Sequence, residues 1–223
     1  MRCYIKRKVK KLEKIVKEDR AHAHFHVVLC GMRGIDMAKL ILVTGGARSG
    51  KSTFAENRAK EFGGDVLYVA TAKQLDDEMK QRIAKHRAQR PSEWETFEGY
   101  KNLDTELHGI IEGKKSAVLL DCVTIMVTNL MLDEAMEWDG LPRDRVAEIE
   151  LGIQHQIERL ISLAKMGNVP FILVTNEVGL GVVPPYAIGR DFRDIAGRMN
   201  QILAATADEV YFCVSGIPMK IKG

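Results

Sequence analysis

The segment with the clearest chemical meaning is residues 45–52, which read Gly-Gly-Ala-Arg-Ser-Gly-Lys-Ser. This run fits the pattern G-x-x-x-x-G-K-[ST] of loops that bind nucleotide phosphates. The apolar run 40–43 before it is typical of a strand, and residues 53–60 after it are compatible with a helix. Such an arrangement points backbone N–H groups and the positive end of the helix dipole at an anion. The segment therefore predicts a nucleotide site, although it does not identify the reaction.

The residue types within this loop predict separate roles. We expect the glycines at 45, 46 and 50 to take positive φ and to let the backbone approach the phosphates closely. The lysine is expected to reach the β- and γ-phosphates and the final serine to hold Mg²⁺. The predicted contacts of the loop are Gly45, Gly46, Ala47, Arg48, Ser49, Gly50, Lys51 and Ser52.

Besides the serine hydroxyl, an acidic group is needed to organise Mg²⁺ at such a site. The apolar run 117–120 ends in Asp121, which is the form of a strand that delivers a metal-organising carboxylate to a phosphate loop. This aspartate would alternatively cap the helix that follows. The predicted metal site therefore combines Ser52 with Asp121.

The segment 75–91 places a histidine among cations. It begins with acidic residues that suit the first turn of a helix, and Arg82 and His86 are separated by one helical turn. A neutral histidine can attack phosphorus, and Arg87 and Arg90 would bind polyphosphate. The same spacing is equally compatible with a structural role at the rim of the core or at a subunit contact.

The charge of the chain is unevenly distributed. Of the 223 residues, those at 1–37 include ten Lys or Arg and four Asp or Glu, whereas the whole chain carries a net charge of only +3. The remainder is slightly acidic, which argues against a large nucleic-acid surface. We interpret residues 1–36 as a basic, non-catalytic extension and 37–223 as the catalytic domain, with Met37 as the natural start.

Cysteine usage and hydropathy limit the class of protein further. No stretch approaches the roughly 18 consecutive apolar residues of a membrane span. The cysteines form no C-x-x-C pair, so neither a zinc site nor a disulfide framework is indicated, and a reducing cytoplasmic setting is expected. The four cysteines are Cys3, Cys30, Cys122 and Cys213.

Strand-like and helix-like segments alternate after residue 38. Helices are predicted over 143–166 and 191–206, and a hairpin over 214–221. This alternation predicts an α/β fold of the P-loop NTPase type, with a mostly parallel sheet, helices on both faces and an antiparallel edge hairpin at the C-terminus. The predicted strands are 39–44, 66–71, 117–121, 169–175 and 209–214.

In combination, these segments resemble the bifunctional adenosylcobinamide kinase/adenosylcobinamide-phosphate guanylyltransferase family of cobalamin biosynthesis. The resemblance covers about residues 38 to 222, and the extension before Met37 has no counterpart in the family. It is carried by Ile41–Ser52, Leu67–Ala72, Asp76–Met79 with Arg82, Ile83 and His86, Arg90-Pro91, Trp94, Thr96, Glu98, Val174–Gly179, Phe192–Arg198 and Val214–Gly216.

The resemblance implies two reactions and a set of site residues. ATP or GTP would phosphorylate adenosylcobinamide, and His86 would then carry GMP from GTP to adenosylcobinamide phosphate. Lys51 would also be catalytic, the cofactor would be Mg²⁺, and the protein would be a homo-oligomer, a trimer in the family. Beyond the loop, the implied nucleotide contacts are Thr71, Ala72, Lys73, Arg87, Ala88, Gln89, Arg90, Glu98 and Asp121, the last standing where some relatives have Glu.

Two other functions are compatible with the same residues. A P-loop kinase for another small molecule would need no covalent histidine. A nucleotide-dependent binding switch would use the basic extension on nucleic acid, with steep salt dependence. Some polar residues would bind the corrinoid or join subunits, and the sequence leaves both roles open. They are Asn176, Glu177, Arg193, Asp194 and Arg198.

Removal of residues 1–36 should leave the activity and the melting temperature nearly unchanged. The reason is that the extension differs from the rest in charge and pattern, and the first predicted strand begins after Met37. Thermal unfolding and turnover of the shortened and full chains test this. A large fall in melting temperature would mean that the extension packs on the core.

Overall fold

The computed structural model describes residues 39–73, 91–112, 115–135 and 137–223, and seven of their segments are strands of one sheet. Neighbouring strands are parallel except the last pair, and their order is β3-β2-β4-β5-β1-β6-β7. The strands are β1 (Leu40–Gly45), β2 (Val66–Ala70), β3 (Glu95–Glu98), β4 (Ala117–Asp121), β5 (Phe171–Val174), β6 (Glu209–Val214) and β7 (Ile217–Lys222).

Five α-helices and one short 3-10 helix, Val178–Leu180, connect the described strands. Residues of α4 such as Val146, Ile149 and Ile153 recur at helical spacing and are buried, which explains why this long segment is amphipathic. None of these helices is long and apolar enough to cross a membrane. The helices are α1 (Lys51–Lys60), α2 (Leu103–Ile111), α3 (Val123–Glu134), α4 (Arg143–Met166) and α5 (Ala187–Thr206).

Alternate residues of the central strands pack into two separate cores. Leu40 and Leu42 of β1 belong to the larger core, which α2, α3, α4 and α5 cover. Ile41 and Val43 belong to the smaller one, which α1 covers. A strand buried on both faces reads as a continuous apolar run, and this is why β1 shows no alternation in its sequence.

The predicted fold class is confirmed, with helices on both faces and an antiparallel hairpin at the C-terminus. Observed strand ends differ by at most two residues from the predicted ones, and α5 begins four residues earlier than predicted. The edge strand β3 was not predicted, because three of the four residues of its sequence Glu-Thr-Phe-Glu are polar and the strand pairs only with β2. The domain boundary at 36/37 and the helix within 75–91 lie outside the described residues.

Register brings the carboxyl ends of the parallel strands to one edge of the sheet. Ala70 of β2 is paired with Glu98 on one side and Asp121 on the other, and Asp121 is paired with Val174 of β5. β1 lies between β5 and β6 and ends at Gly45. Ligands of open α/β sheets bind at this edge, so the sheet collects the predicted site residues there.

The other end of the sheet carries a cluster of charges around Glu209, the first residue of β6. This buried carboxylate accepts a hydrogen bond from the Tyr211 hydroxyl at 2.9 Å and pairs with Lys39, Arg58 and Lys220. Burial alone would raise the pKa of Glu209, but hydrogen bonds from Lys39, Tyr211 and Lys220 outweigh it and lower the pKa to about 2. The ionised carboxylate therefore stabilises the fold.

Glu209→Gln should lower the free energy of unfolding at pH 7 by about 2 kcal/mol, since charged hydrogen bonds are lost. Because the pKa falls from 4.5 to about 2 on folding, this contribution is present above pH 4.5 and is lost as the pH falls towards 2. Chemical denaturation across this range measures it. The exposed Glu112→Gln is the matched control, and equal pH profiles for Glu209→Gln and wild type would contradict the assignment.

Candidate active site

The phosphate loop joins the end of β1 to the start of α1. Gly50 stands immediately before α1 with φ of 87°, and Gly45 has φ of 156°. The prediction of positive φ is wrong for Gly46, and Arg48 takes it instead, with φ of 56°. Arg48 lies within a turn of the loop, whereas the φ of Gly46 is outside the left-handed region.

Two of the glycines are required by close packing against the C-terminal hairpin. A Cβ on Gly45 would lie 2.5 Å from the carbonyl oxygen of Cys213, and a Cβ on Gly50 would lie 2.9 Å from the Cα of Gly216. The N–H of Gly216 also donates to the carbonyl of Ser49 at 2.9 Å. The β6–β7 turn thus forms one wall of the phosphate loop, which the sequence pattern of the loop does not reveal.

Lys51 lies within the curve of the loop. Its side chain is buried, and Nζ donates a hydrogen bond to the carbonyl oxygen of Gly46 at 3.0 Å. No acidic residue occupies the first turn of α1, so the positive end of the helix faces the loop without a neutralising carboxylate on that turn. A lysine held this way places its charge where a bound polyphosphate would need it.

Asp121 ends β4 at the same edge of the sheet. Its carboxylate is half-buried, and no described residue donates a hydrogen bond to it. Burial and then the charge of Asp121 raise the pKa of the adjacent Cys122 thiol to about 12, so Cys122 stays protonated. A carboxylate and the Ser52 hydroxyl are the oxygen ligands that Mg²⁺ prefers, so the donor set fits the predicted ion.

Thr71, Ala72 and Lys73 follow β2 directly. The Thr71 hydroxyl is buried; it donates to the carbonyl of Cys122 at 2.8 Å and accepts from its N–H at 2.9 Å. The hydroxyl therefore acts as both donor and acceptor within the fold, and these two hydrogen bonds join the ends of β2 and β4. Ala72 is half-buried beside it.

Lys73 is engaged by a residue of α3. Its ammonium contacts the Asp133 carboxylate at 2.8 Å and lies 4.5 Å from the centre of the Tyr100 ring. Hydrogen bonds to Asp133 and Tyr100 raise the pKa of Lys73. A nucleotide that used Lys73 would compete with Asp133 for it.

The remaining predicted nucleotide contacts divide into one that is described and several that are not. Glu98 is exposed at the end of β3, in register with Ala70 and thus at the same edge as Asp121. The other predicted nucleotide contacts lie outside the described residues, as do the predicted catalytic residue His86 and its neighbour Arg82; these contacts are Arg87, Ala88, Gln89 and Arg90. The structure therefore places the phosphate loop, Thr71–Lys73, Glu98 and Asp121 at the same edge of the sheet, and the roles of these residues stay predictions.

A buried chain of hydrogen bonds crosses the ends of the strands beside the loop. The Thr175 hydroxyl donates to Asn200 Oδ1 at 2.8 Å and lies 3.1 Å from the Thr124 hydroxyl. Since the single proton of Thr175 goes to Asn200, Thr124 is the donor to Thr175. Thr124 in turn accepts from the N–H of Asn176 at 2.7 Å. The chain ties α3, β5 and α5 together.

This chain ends on the carboxylate of Glu177. Asn200 Nδ2 donates to Glu177 Oε1 at 3.2 Å and to the carbonyl of Asn176 at 3.1 Å, and the Thr44 hydroxyl donates to the same Oε1 at 2.9 Å. Neither Thr44 nor Asn200 was predicted as a site residue. Asn200 adjoins Met199 on the buried side of α5, which is otherwise apolar. A single amide at such a position was the sequence signal that could have indicated a buried hydrogen-bond network there.

The charged residues of α5 form ordinary surface pairs. Arg198 holds the carboxylate of Glu150 with two nitrogens, and Arg193 contacts its neighbour Asp194 at 3.0 Å. With Gly179 and other residues, they line an open cavity of about 270 Å³. Their predicted roles, in corrinoid binding or in a subunit contact, stay open.

The sheet order, the glycine loop and the buried lysine define a P-loop nucleotide-binding protein. The family model for cobinamide kinase / cobinamide phosphate guanyltransferase matches residues 41–221. The chain therefore belongs to this family, as the sequence resemblance predicted.

Named relatives agree with this assignment. The chain is 49% identical over 183 residues to the bifunctional adenosylcobalamin biosynthesis protein CobU of Escherichia coli (strain K12), covering 82% of this chain and 99% of the relative. It is 46% identical over 188 residues to CobU of Salmonella typhimurium (strain LT2), with the same coverage. Among solved structures, the RadB recombinase is 19% identical with a TM-score of 0.42, over 78% of this chain and 73% of that one.

Gly50→Ala should destabilise the protein by about 1–2 kcal/mol even without nucleotide, because alanine is strained at positive φ and its Cβ would meet Gly216. Thermal unfolding of the free protein is the measurement. Gly46→Ala is the matched control, since its Cβ meets no atom within 4 Å and its φ is not in the strained region. Equal melting temperatures for the two variants would contradict the packing of the hairpin against the loop.

Proposed function

We propose that this protein phosphorylates adenosylcobinamide with ATP or GTP and then transfers GMP from GTP to the product, giving adenosylcobinamide-GDP. The observation that carries this proposal is the phosphate loop with Lys51 buried inside it, in a chain that belongs to the cobinamide kinase / guanyltransferase family over residues 41–221. The relatives' names describe a bifunctional protein.

The first step transfers a γ-phosphoryl group. Backbone N–H groups at the start of α1 and the Lys51 ammonium would bind the phosphates and balance the charge that develops on them. Ser52 and Asp121 would hold Mg²⁺, which, when bound, neutralises phosphate charge. Positioning and electrostatics account for most of the catalysis in such transfers.

The second step proceeds through His86. Its neutral imidazole attacks the α-phosphorus of GTP, the bond to the β-phosphate breaks and pyrophosphate leaves, so that GMP remains on the histidine. A phosphate oxygen of adenosylcobinamide phosphate then attacks the same phosphorus and frees the imidazole. Support for His86 comes from the sequence, where Arg82, Arg87 and Arg90 surround it. Covalent catalysis divides one difficult transfer into two easier ones.

Several finer assignments belong to this proposal. The partners are adenosylcobinamide and its phosphate, without nucleic acid, because residues 38–223 are slightly acidic overall. A homotrimer and a cytoplasmic location are proposed from the family resemblance and from the scattered cysteines. Two of these, Cys122 and Cys213, are free and buried.

His86→Asn should abolish covalent labelling by GTP that carries label on its α-phosphate, and with it guanylyl transfer, while kinase activity persists. The wild-type label should be labile to acid and stable to base, as a histidine phosphoramidate is. Incubation with Mg²⁺ and labelled GTP, followed by denaturing electrophoresis, measures this. His108→Asn, a change of an exposed histidine on α2, is the matched control.

Lys51→Ala completes the same experiment, because it should remove both activities without unfolding the chain. Absence of label in the wild type, with phosphorylation of adenosylcobinamide retained, would favour a kinase with one function. Label that persists in His86→Asn would move the nucleophile elsewhere, with Lys85 as the next candidate. Full turnover in Lys51→Ala would contradict the loop as the catalytic nucleotide site.

A further inference from the structure

Glu177 lies directly against the start of the phosphate loop. Its N–H donates to the carbonyl of Gly45 at 3.1 Å, and the N–H of Thr175 donates to the carbonyl of Val43 at 3.0 Å. The pairing of β5 with β1 therefore continues past the end of the strand to Gly45, the first residue of the loop. This fixes the backbone of Glu177 beside the phosphate site.

Hydrogen bonds to one of the two carboxylate oxygens hold the side chain of Glu177 in place. Oε1 accepts hydrogen bonds from the Thr44 hydroxyl at 2.9 Å and from Asn200 Nδ2 at 3.2 Å. Thr44 and Asn200 are themselves buried, so the position of the carboxylate is well determined. Within the described ranges no group donates to Oε2, which leaves this oxygen able to accept a proton.

Among the described residues, the electrostatic setting of Glu177 resembles that of Asp121, which also pairs with no cation, and differs from that of three other partly buried carboxylates. Asp133, Asp191 and Glu209 each pair with a lysine or an arginine. Glu177 is half-buried and pairs with no cation of the described residues; its donors are a hydroxyl and an amide. A carboxylate that only stabilises a fold is ordinarily paired when water is partly excluded, so this one has the properties of a functional group.

Asp121 and Glu177 lie on opposite faces of the sheet at this edge. Asp121 follows Leu119, which packs in the core covered by α1, and alternation along the strand puts Asp121 on that face. The Glu177 carboxylate accepts a hydrogen bond from Asn200 of α5 and therefore lies on the face covered by α5. A nucleotide held by the loop and Asp121 would leave the side of Glu177 open to the group that receives the phosphate.

We propose that Glu177 is the general base of the kinase step, which rests on the function proposed above. The acceptor hydroxyl oxygen attacks the γ-phosphorus and forms a new P–O bond. The bond from the γ-phosphorus to the β,γ-bridging oxygen breaks, and the nucleoside diphosphate leaves. The hydroxyl proton passes to Glu177 Oε2. The step needs no further reactant, and Glu177 has no part in the transfer of GMP.

Glu177→Gln is the direct test, because glutamine keeps an oxygen that accepts from Thr44 and Asn200 but cannot take the proton. Transfer of label from the γ-phosphate of ATP or GTP to adenosylcobinamide should fall about 100-fold in kcat, within the range for loss of a general base. Covalent labelling by α-labelled GTP, the KM for the nucleotide and the melting temperature should be unchanged. Glu177→Asp should recover part of the lost kcat.

Thr44→Val is the control that separates a chemical role from a structural one. It removes a hydrogen bond to Oε1 and keeps the carboxylate. If Glu177 is the base, Glu177→Gln lowers kcat far more than Thr44→Val does. If Glu177 only ties Thr44 to Asn200, Thr44→Val has the larger effect and lowers the melting temperature, which would overturn the proposal.

The two proposals fail in different ways. A wild-type protein that transfers no phosphate to adenosylcobinamide would refute the proposed function itself. A wild-type protein that does so, together with a Glu177→Gln variant of similar kcat, would refute only the role of Glu177. Glu112→Gln, which changes an exposed carboxylate at the end of α2, controls for the loss of one negative charge.

Discussion

Polar side chains at the carboxyl ends of β1 and β5 are buried, so their hydrogen-bond donors and acceptors must pair with one another rather than with water. Thr175 is 1% exposed, and Thr44, Thr124 and Asn200 are also buried. A buried donor or acceptor without a partner costs about 1–3 kcal/mol. The hydrogen-bond chain from Asn176 N–H to Glu177 Oε1 avoids that cost, and it does so by joining β1, β5, α3 and α5. The geometry around the phosphate loop depends on this constraint.

Side chains of β1 alternate between the two faces of the sheet, and each face carries a different part of the site. Odd-numbered residues of β1 pack towards α1, which supplies the helix N-terminus and Lys51. Even-numbered residues pack towards α5, and Thr44 continues that series into the hydrogen-bond chain. An apolar core packs on each face of the sheet, so polar groups reach its carboxyl edge from both faces.

Local patterns predicted the strands, the phosphate loop and α4, because each depends on residues close in sequence. The edge strand β3 was not predictable in this way, since Glu95–Glu98 has little apolar character and is defined by its pairing with β2. Within the site, the motif identified Lys51 and the register placed Asp121. The partners of Glu177, and the use of the Thr71 hydroxyl to hold Cys122, arise between segments 23 to 133 residues apart. A single sequence can show that a polar residue such as Asn200 stands among apolar ones, but it does not show which distant residue is its partner.

The packing of the β6–β7 turn against the phosphate loop limits the insertions that this turn can tolerate during evolution. Hairpin tips are ordinarily places where insertions are tolerated. Here Ser215 takes φ of 51°, Gly216 touches the loop at Gly50, and its N–H bonds to Ser49. A longer turn would remove a wall of the phosphate loop. We therefore expect length variation among homologues to accumulate in other surface connections, while this exposed tip keeps its length.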